Sequence, residues 1–413
     1  MAYQFKGHIK KLLGIVLALC YCTMTFSQTE FDSLKRNSNL DSSYQPSQKP
    51  TFVTEFAEGK ISGFVQPAFY FDYNNFFDND LFVTSAIPTQ KITDVNFNRF
   101  HFSANQSRLG FSFKFPKAGT NTTALLEGDF LSSATGQNTY FRLRHAYLTF
   151  GEFLFGQTWT NFGDVSASPN TLDLEGPNSM PAARVAQVRW KRVLSEKWSI
   201  LFALEEPKND YTPLDSANAI KASFPEIVFK PKLIMHRGTW TNSFIFKPIV
   251  YSDKEYNFKK NLPAWGFTSS LSIKIPDNSF HPLGLKKRVF NLFGIIGDGT
   301  QGSVNDFGGL GYEAFPKDAN TLETLLYYGG YTSYSFVFQK RWSSTYVFSY
   351  LHQEKPATTS QIFKRSIYAS ANAVLALNKY FTTGVELLYG YKTNYDNTSG
   401  SAFRILGIIR LLF

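Results

Sequence analysis

Charged side chains recur at alternate positions within three apolar segments of this 413-residue chain. The pairs are Glu127 and Asp129, Arg142 and Arg144, and Arg189 and Lys191. Residues two apart share a face of a β-strand, so each pair points to one side of its strand. The residues between them are largely apolar, so the charged side must face water. Fixed charges on a wet inner face could guide charged solutes through an aqueous passage.

Residues 160–183 lie between the second and third of these segments and are rich in Pro, Gly, Asn, Asp and Ser. A compact domain seldom leaves so long a stretch without a role. We interpret it as a loop that folds into a water-filled barrel and narrows it. Its acids, Asp164, Asp173 and Glu175, are expected to form the negative half of a constriction, opposite basic side chains of the wall. The basic candidates are Arg99, Arg108, Arg142, Arg144, Arg184, Arg189 and Lys191.

Two interpretations of the arginines remain open. Arg142 and Arg144 could form a structural ladder with Glu127 and Asp129 on the neighbouring strand, because opposite charges on adjacent strands usually meet. Alternatively, the bases outnumber the acids and leave a positive wall that favours anions. If the arginines prove structural, the filter is expected near Lys230 and Lys232.

Metal and catalytic chemistry are weaker alternatives. The loop acids could instead bind calcium, which prefers oxygen ligands on flexible loops, but we predict no metal and no cofactor. The histidines after the leader are scattered without metal-type spacing, and no nucleophile, base and orienting group come together in sequence. His145 is expected on the apolar side, in phase with Leu143 and Tyr147. An outer-membrane barrel enzyme such as a phospholipase is therefore a minor alternative.

From residue 60 to the end, polar and apolar residues alternate in segment after segment. Short turns alternate with longer loops, the last of them at 392–401, which predicts sixteen strands with both termini on the short-turn side. The segment from 298 to 330 could hold an extra pair of short strands, so eighteen strands remain possible. We predict an all-β fold, a 16-stranded antiparallel transmembrane β-barrel with an inward-folded constriction loop. The barrel domain is expected to span residues 60–413.

The chain begins with the pattern of a secretory signal, predicted at residues 1–27, with basic residues before a short apolar run. Both cysteines, Cys20 and Cys22, lie in it, which excludes disulfides and thiolate metal sites from the mature chain. Removing its three lysines lowers the formal net charge from +10 to +7. Residues 28–59 are polar and are expected to form a flexible periplasmic segment.

Composition favours a membrane barrel. Aromatic residues make up 17% of the chain, as expected for aromatic girdles at both membrane interfaces. After the leader no apolar run approaches the ~20 residues of a membrane helix. Phe413 ends the last alternating segment and resembles the signal read by the barrel-assembly machinery. Dispersed charges and a secreted destination argue against nucleic acid, while a secreted β-sandwich or glycan-binding protein remains the main alternative.

Four blocks in order carry a resemblance to a known family. They are Glu127-Gly128-Asp129-Phe130, Leu143-Arg144-His145-Ala146-Tyr147-Leu148, Gly156-Gln157-Thr158-Trp159 and Leu172-Asp173-Leu174-Glu175-Gly176-Pro177. Together they resemble the DcaP-type trimeric porins of Gram-negative outer membranes. The resemblance implies a homotrimer of sixteen-stranded barrels, set among outer-membrane lipid and lipopolysaccharide, that passes small, mostly anionic solutes. We therefore expect an outer-membrane porin for carboxylate-type anions.

Overall fold

The computed structural model describes residues 51–73, 76, 80–89, 98–131, 140–208, 210–212, 224–252, 259–277, 285–318, 321–357 and 362–413. The predicted signal (1–27) and most of the predicted periplasmic segment (28–59) lie outside these residues. A two-residue strand, Phe52–Val53, pairs with residues 58–59, so regular pairing with the barrel wall begins slightly before residue 60.

Within the described residues, sixteen strands form one closed antiparallel barrel, as predicted. In chain order they are β1 (Glu58–Val65 and Ala68–Tyr73), β2 (Arg99–Ser103 and Arg108–Lys114), β3 (Thr122–Asp129), β4 (Arg142–Phe150), β5 (Phe153–Trp159), β6 (Arg184–Val193), β7 (Trp198–Glu205), β8 (Glu226–Met235), β9 (Gly238–Ser252), β10 (Lys259–Ile275), β11 (Lys286–Asp298), β12 (Leu326–Phe338), β13 (Trp342–Gln353), β14 (Phe363–Ala376), β15 (Phe381–Asn394) and β16 (Ser399–Leu412). In the described part of the chain, no helix is long and apolar enough to cross a membrane.

The barrel closes between its first and last strands. β16 pairs with both halves of β1, from Phe403 opposite Tyr73 to Leu412 opposite Phe64. Closure leaves no exposed sheet edge, which a hydrocarbon environment requires because unpaired backbone groups cannot be solvated there. β1 and β2 each break once, at residues 66–67 and 104–107. A local irregularity of this kind shifts the alternation of a strand by one residue.

Alternation places apolar side chains outside and polar ones inside. On β10, Trp265 is exposed on the outer face, whereas Thr268 and Ser270 are buried on the inner face. On β15, Val385 and Tyr389 are exposed outside and Glu386 is fully buried inside. An apolar exterior with a polar interior is the pattern of outer-membrane barrels.

Two predicted connections differ from the structure. The segment 392–401, expected as a long loop, is mostly strand, because β15 and β16 extend to a turn at 395–398 closed by Asn394 N–H donating to Thr398 O at 2.9 Å. The segment 298–330 does contain two short strands, Phe315–Pro316 and Leu322–Glu323, but they pair only with each other. They do not join the wall, so sixteen strands is correct and eighteen is not.

Three connections on the long-loop side pack inside the barrel. They are the described part of the first loop (80–89), the long loop (160–183) and the sixth loop (299–325). Phe82, Ile87 and Leu172 share an apolar cluster with inner residues of β13 to β16. Phe162, Val304 and Phe307 share another with inner residues of β7 to β14. Short 3-10 turns at Thr84–Ala86, Val165–Ala167, Gln301–Ser303 and Asn305–Phe307 shape these loops.

Candidate functional site

The long loop crosses the barrel interior, as predicted, and each part of it contacts a different strand. At its start, Asn161 donates its backbone and side-chain N–H groups to Glu205 of β7 at 2.7 and 2.6 Å. The carbonyl oxygen of Phe162 then accepts from Thr268 of β10 at 2.8 Å. Farther along, Asn372 of β14 donates to the carbonyl of Asn170 at 2.7 Å. The loop is thereby tied to walls several strands apart.

Buried carboxylates hold the far end of the loop. Glu386 of β15 accepts the backbone N–H groups of Leu172 and Asp173 through Oε2, at 2.6 and 2.7 Å. Asp173 in turn accepts the N–H of Phe82 at 3.2 Å and that of Gly176 at 3.2 Å. Gly176 has a positive φ of 71°, which glycine adopts without steric cost. These contacts join the long loop to the first loop and to β15.

Asp173 therefore does not face the arginines as the sequence suggested. Only 2% of it is exposed, and its oxygens are occupied by loop backbone and by the hydroxyl of Tyr368. Burial raises the pKa of Asp173 to about 6, although the nearby charge of Arg404 and the N–H donors oppose the change. Burial likewise raises the pKa of Asp306 in the sixth loop to about 6, against hydrogen bonds from Thr84 and Ser366. Both carboxylates hold the inserted loops in place by accepting hydrogen bonds from them and from the wall.

Asp164 lies against a different part of the wall. It accepts from Ser270 of β10 at 2.6 Å and from the Ser166 hydroxyl at 2.6 Å. Burial would raise the pKa of Asp164, but the charge of Lys230 and the two hydroxyls outweigh it and hold the pKa at about 2. Asp164 is thus ionised beside lysines of β8, not beside Arg142 and Arg144. Glu175 is half-buried at the far end of the loop, where its carbonyl accepts from Asn305 at 2.6 Å.

The arginine cluster consists of Arg108, Arg142 and Arg144 with the acids Glu127 and Asp129. Arg142 binds Asp129 through Nε and Nη2, both at 2.9 Å. Arg144 bridges the two acids, at 3.1 Å from Glu127 and 2.6 Å from Asp129. Arg108 lies 3.5 Å from Glu127. The predicted ladder is therefore present, and with three bases to two acids it keeps one excess positive charge.

An irregularity in β4 creates this arrangement. Glu127 pairs with His145 and Gly128 with Leu143, so Arg144 is an additional residue on β4. A bulge turns consecutive side chains to one face, and both Arg144 and His145 are buried on the inner side. The expectation that His145 lies on the apolar outer side was wrong, because the bulge resets the phase after Arg144. His145 Nδ1 lies 3.0 Å from the Thr158 hydroxyl.

A second group of bases surrounds a cavity of about 300 Å³ between the start of the long loop and strands β5 to β8. We call Arg189, Lys191, Lys230 and Lys232 the basic patch. Arg189 donates to the Asn161 side chain at 3.3 Å, and Lys232 to the Ser166 hydroxyl at 3.2 Å. Lys230 donates to the carbonyl of Gly163. Among the described residues lining this cavity, Asp164 is the one acid.

The remaining candidates are more peripheral. Arg184 lies at the start of β6, where its guanidinium packs 4.6 Å from the ring centre of Trp159. Arg99 pairs in register with Asp72, whose carboxylate is bound by Arg404 at 2.5 and 3.0 Å. In the described part of the chain, no group of three or more His, Cys, Asp or Glu side chains is placed to hold a metal ion.

Sequence reasoning missed the residues that fix the loops. Glu205, Glu386 and Asp306 are each almost fully buried and each bind loop groups. A single acid flanked by uncharged residues in the middle of a strand, as at Glu386, is the signal that could have revealed them. A buried acid needs hydrogen-bond donors, and an inserted loop provides them through its backbone.

A closed barrel with an apolar exterior, inserted loops and a charged interior defines a membrane channel of the porin class. The family model for the DcaP outer membrane protein matches residues 32–413, so the chain belongs to the DcaP family. Its fold resembles the crystal structure of the outer membrane channel DcaP of Acinetobacter baumannii, with TM-score 0.74, 19% identity, and coverage of 88% of this chain and 100% of that one. It also resembles the anion-selective porin from Comamonas acidovorans, with TM-score 0.52, 11% identity, and coverage of 86% and 100%.

A search of curated proteins gives no match. Family and fold together place the chain in the outer membrane of a Gram-negative bacterium, where it forms a channel.

Proposed function

We propose that the channel passively admits small hydrophilic solutes and prefers anions of the carboxylate type. The observation that carries this proposal is the basic patch, in which four bases share one cavity with a single acid. The field inside a narrow passage depends on its uncompensated charge, and this cavity has an excess of three positive charges. An anion would therefore be more concentrated there than a cation.

The arginine cluster supports the same preference with less weight. Its two acids are occupied by three arginines, so one positive charge remains near Arg108. At ~4 Å, two unit charges interact with ~4 kcal/mol near a protein surface, so even one excess charge biases a passing ion. Neither group provides a deep, closed binding pocket, and a channel must release what it binds.

The test is the double variant Arg189→Gln with Lys232→Gln in a planar lipid bilayer. We expect the reversal potential in a tenfold KCl gradient to shift toward cation preference, most strongly below 0.1 M salt, because screening shortens the range of the field at higher salt. The matched control is Lys317→Gln with Lys355→Gln, which removes two exposed loop charges of the same sign. An unchanged reversal potential in the folded first variant would refute the proposal.

We also propose that the chain acts as a homotrimer, on the basis of its family resemblance, and expect a native mass of three chains in mild detergent.

Catalysis is not expected. Thr158, His145 and Glu127 form a row that resembles a nucleophile, a base and a carboxylate. However, Glu127 lies 3.9 Å from His145 and is bound by Arg144. A carboxylate that is already neutralised by arginine would orient the imidazole poorly.

A further inference from the structure

Basic residues occur in six of the seven short turns, which lie on the periplasmic side. We call Lys117, Lys197, Arg237, Lys286, Lys340 and Lys379 the basic belt; each lies in a short turn or at its edge. All six are exposed. Within the described residues, none of the six forms an ion pair with a carboxylate within 4.0 Å. The seventh turn carries Glu152, which accepts from Trp190 at 2.8 Å.

Among the described residues, the long loops at the other end of the barrel carry more acids than bases. The described parts of the long loops contain many acids, including Asp80, Glu206, Asp318, Glu323, Glu354 and Asp396. Their exposed bases are few, and Lys317 and Lys355 are examples. The positive charge of the belt is therefore a property of one rim and does not follow from the basic composition of the chain.

Outward-facing aromatic residues accompany the belt. Trp198 follows Lys197, Trp240 follows Arg237 by three residues, and Tyr380 follows Lys379. All three rings are exposed, between 44% and 50%. The ammonium of Lys379 lies 4.6 Å from the ring centre of Tyr380. Aromatic rings of this kind lie at the level of lipid headgroups, so the adjacent bases are at the depth of the phosphates.

We propose that the basic belt binds the phosphates of anionic phospholipids in the inner leaflet of the outer membrane. Two features favour lipid over a single protein partner. The charges are spread around most of the circumference, from the β2–β3 turn to the β14–β15 turn, as an annulus of lipid would require. They also follow the aromatic girdle in depth, whereas a docking patch would be confined to one sector.

The lipid preference can be measured with the tryptophans of the protein itself. Trp190, Trp198, Trp240 and Trp342 lie in or next to the periplasmic half of the wall. The full chain is reconstituted in phosphatidylcholine vesicles that contain either brominated phosphatidylcholine or brominated phosphatidylglycerol at equal mole fraction. We expect the anionic lipid to quench more, with a relative association constant of about five, given ~1 kcal/mol per base near a charged surface.

The decisive variant is Lys197→Gln with Arg237→Gln and Lys340→Gln. The relative association constant should fall toward one, and 1 M salt should have the same effect on the wild type. The control, Lys208→Gln with Lys317→Gln and Lys355→Gln, removes the same charge from the opposite rim and should retain the preference. Circular dichroism confirms that each variant is folded.

Two results would overturn the proposal. One is equal quenching by both lipids in the wild type. The other is a preference for anionic lipid that the belt variant and the control share. Sedimentation with isolated peptidoglycan tests the alternative that the basic belt binds the cell wall. If the wild type shows no lipid preference but sediments with peptidoglycan, and the belt variant does not, the belt contacts the cell wall and not lipid. The proposal rests on the outer-membrane location and is independent of ion selectivity.

Discussion

Single carboxylates determine where the charged and inserted parts of this channel lie. Asp129 receives three hydrogen bonds from two arginines and has no exposed surface. Glu386 has a corresponding position on β15, four strands away around the wall, where it receives two backbone N–H groups of the long loop. Asp129 binds arginines of the wall, whereas Glu386 binds the backbone of a loop. Substitutions at the two positions should therefore have different effects.

Asp129→Asn should destabilise the barrel. The substitution leaves Arg142 and Arg144 close together with only Glu127 to neutralise them, and breaking a buried ion pair by removing one partner costs roughly 3–5 kcal/mol. Urea-induced unfolding in vesicles, followed by tryptophan fluorescence, measures the loss. The control is Glu152→Gln, an exposed acid in a short turn, which should change the free energy of unfolding by less than about 0.5 kcal/mol. Equal effects of the two substitutions would contradict the assigned role of Asp129.

Glu386→Ala should loosen the long loop without unfolding the barrel. The N–H groups of Leu172 and Asp173 would lose their acceptor, so we expect larger and noisier single-channel currents. Glu386→Gln keeps one carbonyl oxygen in the same place and should behave nearly as the wild type. A quiet, unchanged current in the alanine variant would show that other contacts, such as Asn372 to Asn170, suffice to hold the loop.

At the level of the strands, the alternation of polar and apolar residues predicted which face of each strand lines the aqueous interior. It succeeded because a half-solvated sheet imposes a strict period of two. It failed at β4, where Arg144 is an extra residue that sequence alone does not distinguish from a regular one. It also could not show that inner polar residues differ in role. Asn372 resembles any lumen residue in sequence, yet it donates to the loop at Asn170 and accepts from Thr345 N–H at 2.8 Å.

The loops were predicted less well than the strands, for a physical reason. A loop's position depends on contacts far away in sequence, such as Asp173 with Phe82 and Glu205 with Asn161. Length and composition indicated that residues 160–183 fold inward, but they could not show which acid meets which wall. Asp164 and Asp173 look equivalent in sequence, but Asp164 lies beside the lysines of the basic patch, whereas Asp173 is held by loop backbone.

Leu271 and Ser272 provide a test of the alternation on β10. Leu271 faces outward, and Arg in its place should impair folding into vesicles by up to about 2–4 kcal/mol, depending on its depth in the membrane. Ser272 is the adjacent inner residue, so Ser272→Arg should be tolerated. Folding yields of the two variants, measured by heat-modifiable migration on gels, distinguish the faces. Similar yields would mean that the two faces of β10 have been assigned incorrectly.

For the whole molecule, closure depends on the C-terminus. The N–H of Phe413 donates to Gly63 O at 3.1 Å, and the N–H of Gly63 donates to Phe413 O at 3.2 Å. These bonds extend the pairing of β16 with β1 by one residue. The same residue ends the alternating pattern expected to be read by the barrel-assembly machinery, so one residue is expected to serve assembly through its side chain and closure through its backbone.

Deletion of Phe413 should reduce the amount of folded channel in the outer membrane several-fold in cells. Phe413→Tyr keeps an aromatic ring and both backbone bonds and should be nearly neutral. Folding of the purified chains into vesicles without any assembly factor separates the two contributions. A deletion that folds normally in vesicles but fails in cells indicates a recognition defect, whereas normal levels in cells would contradict both roles.

The long loop also has a mechanical consequence. It is anchored at Glu205 on β7 and at Glu386 on β15, eight strands apart in a ring of sixteen, and therefore spans a full diameter. A hollow cylinder under lateral pressure flattens into an oval at little elastic cost, and a tie across its diameter resists that change of shape. The hydrogen bonds of the loop act as such a tie. The cross-section of the channel should thus stay constant when the surrounding membrane is stretched or compressed.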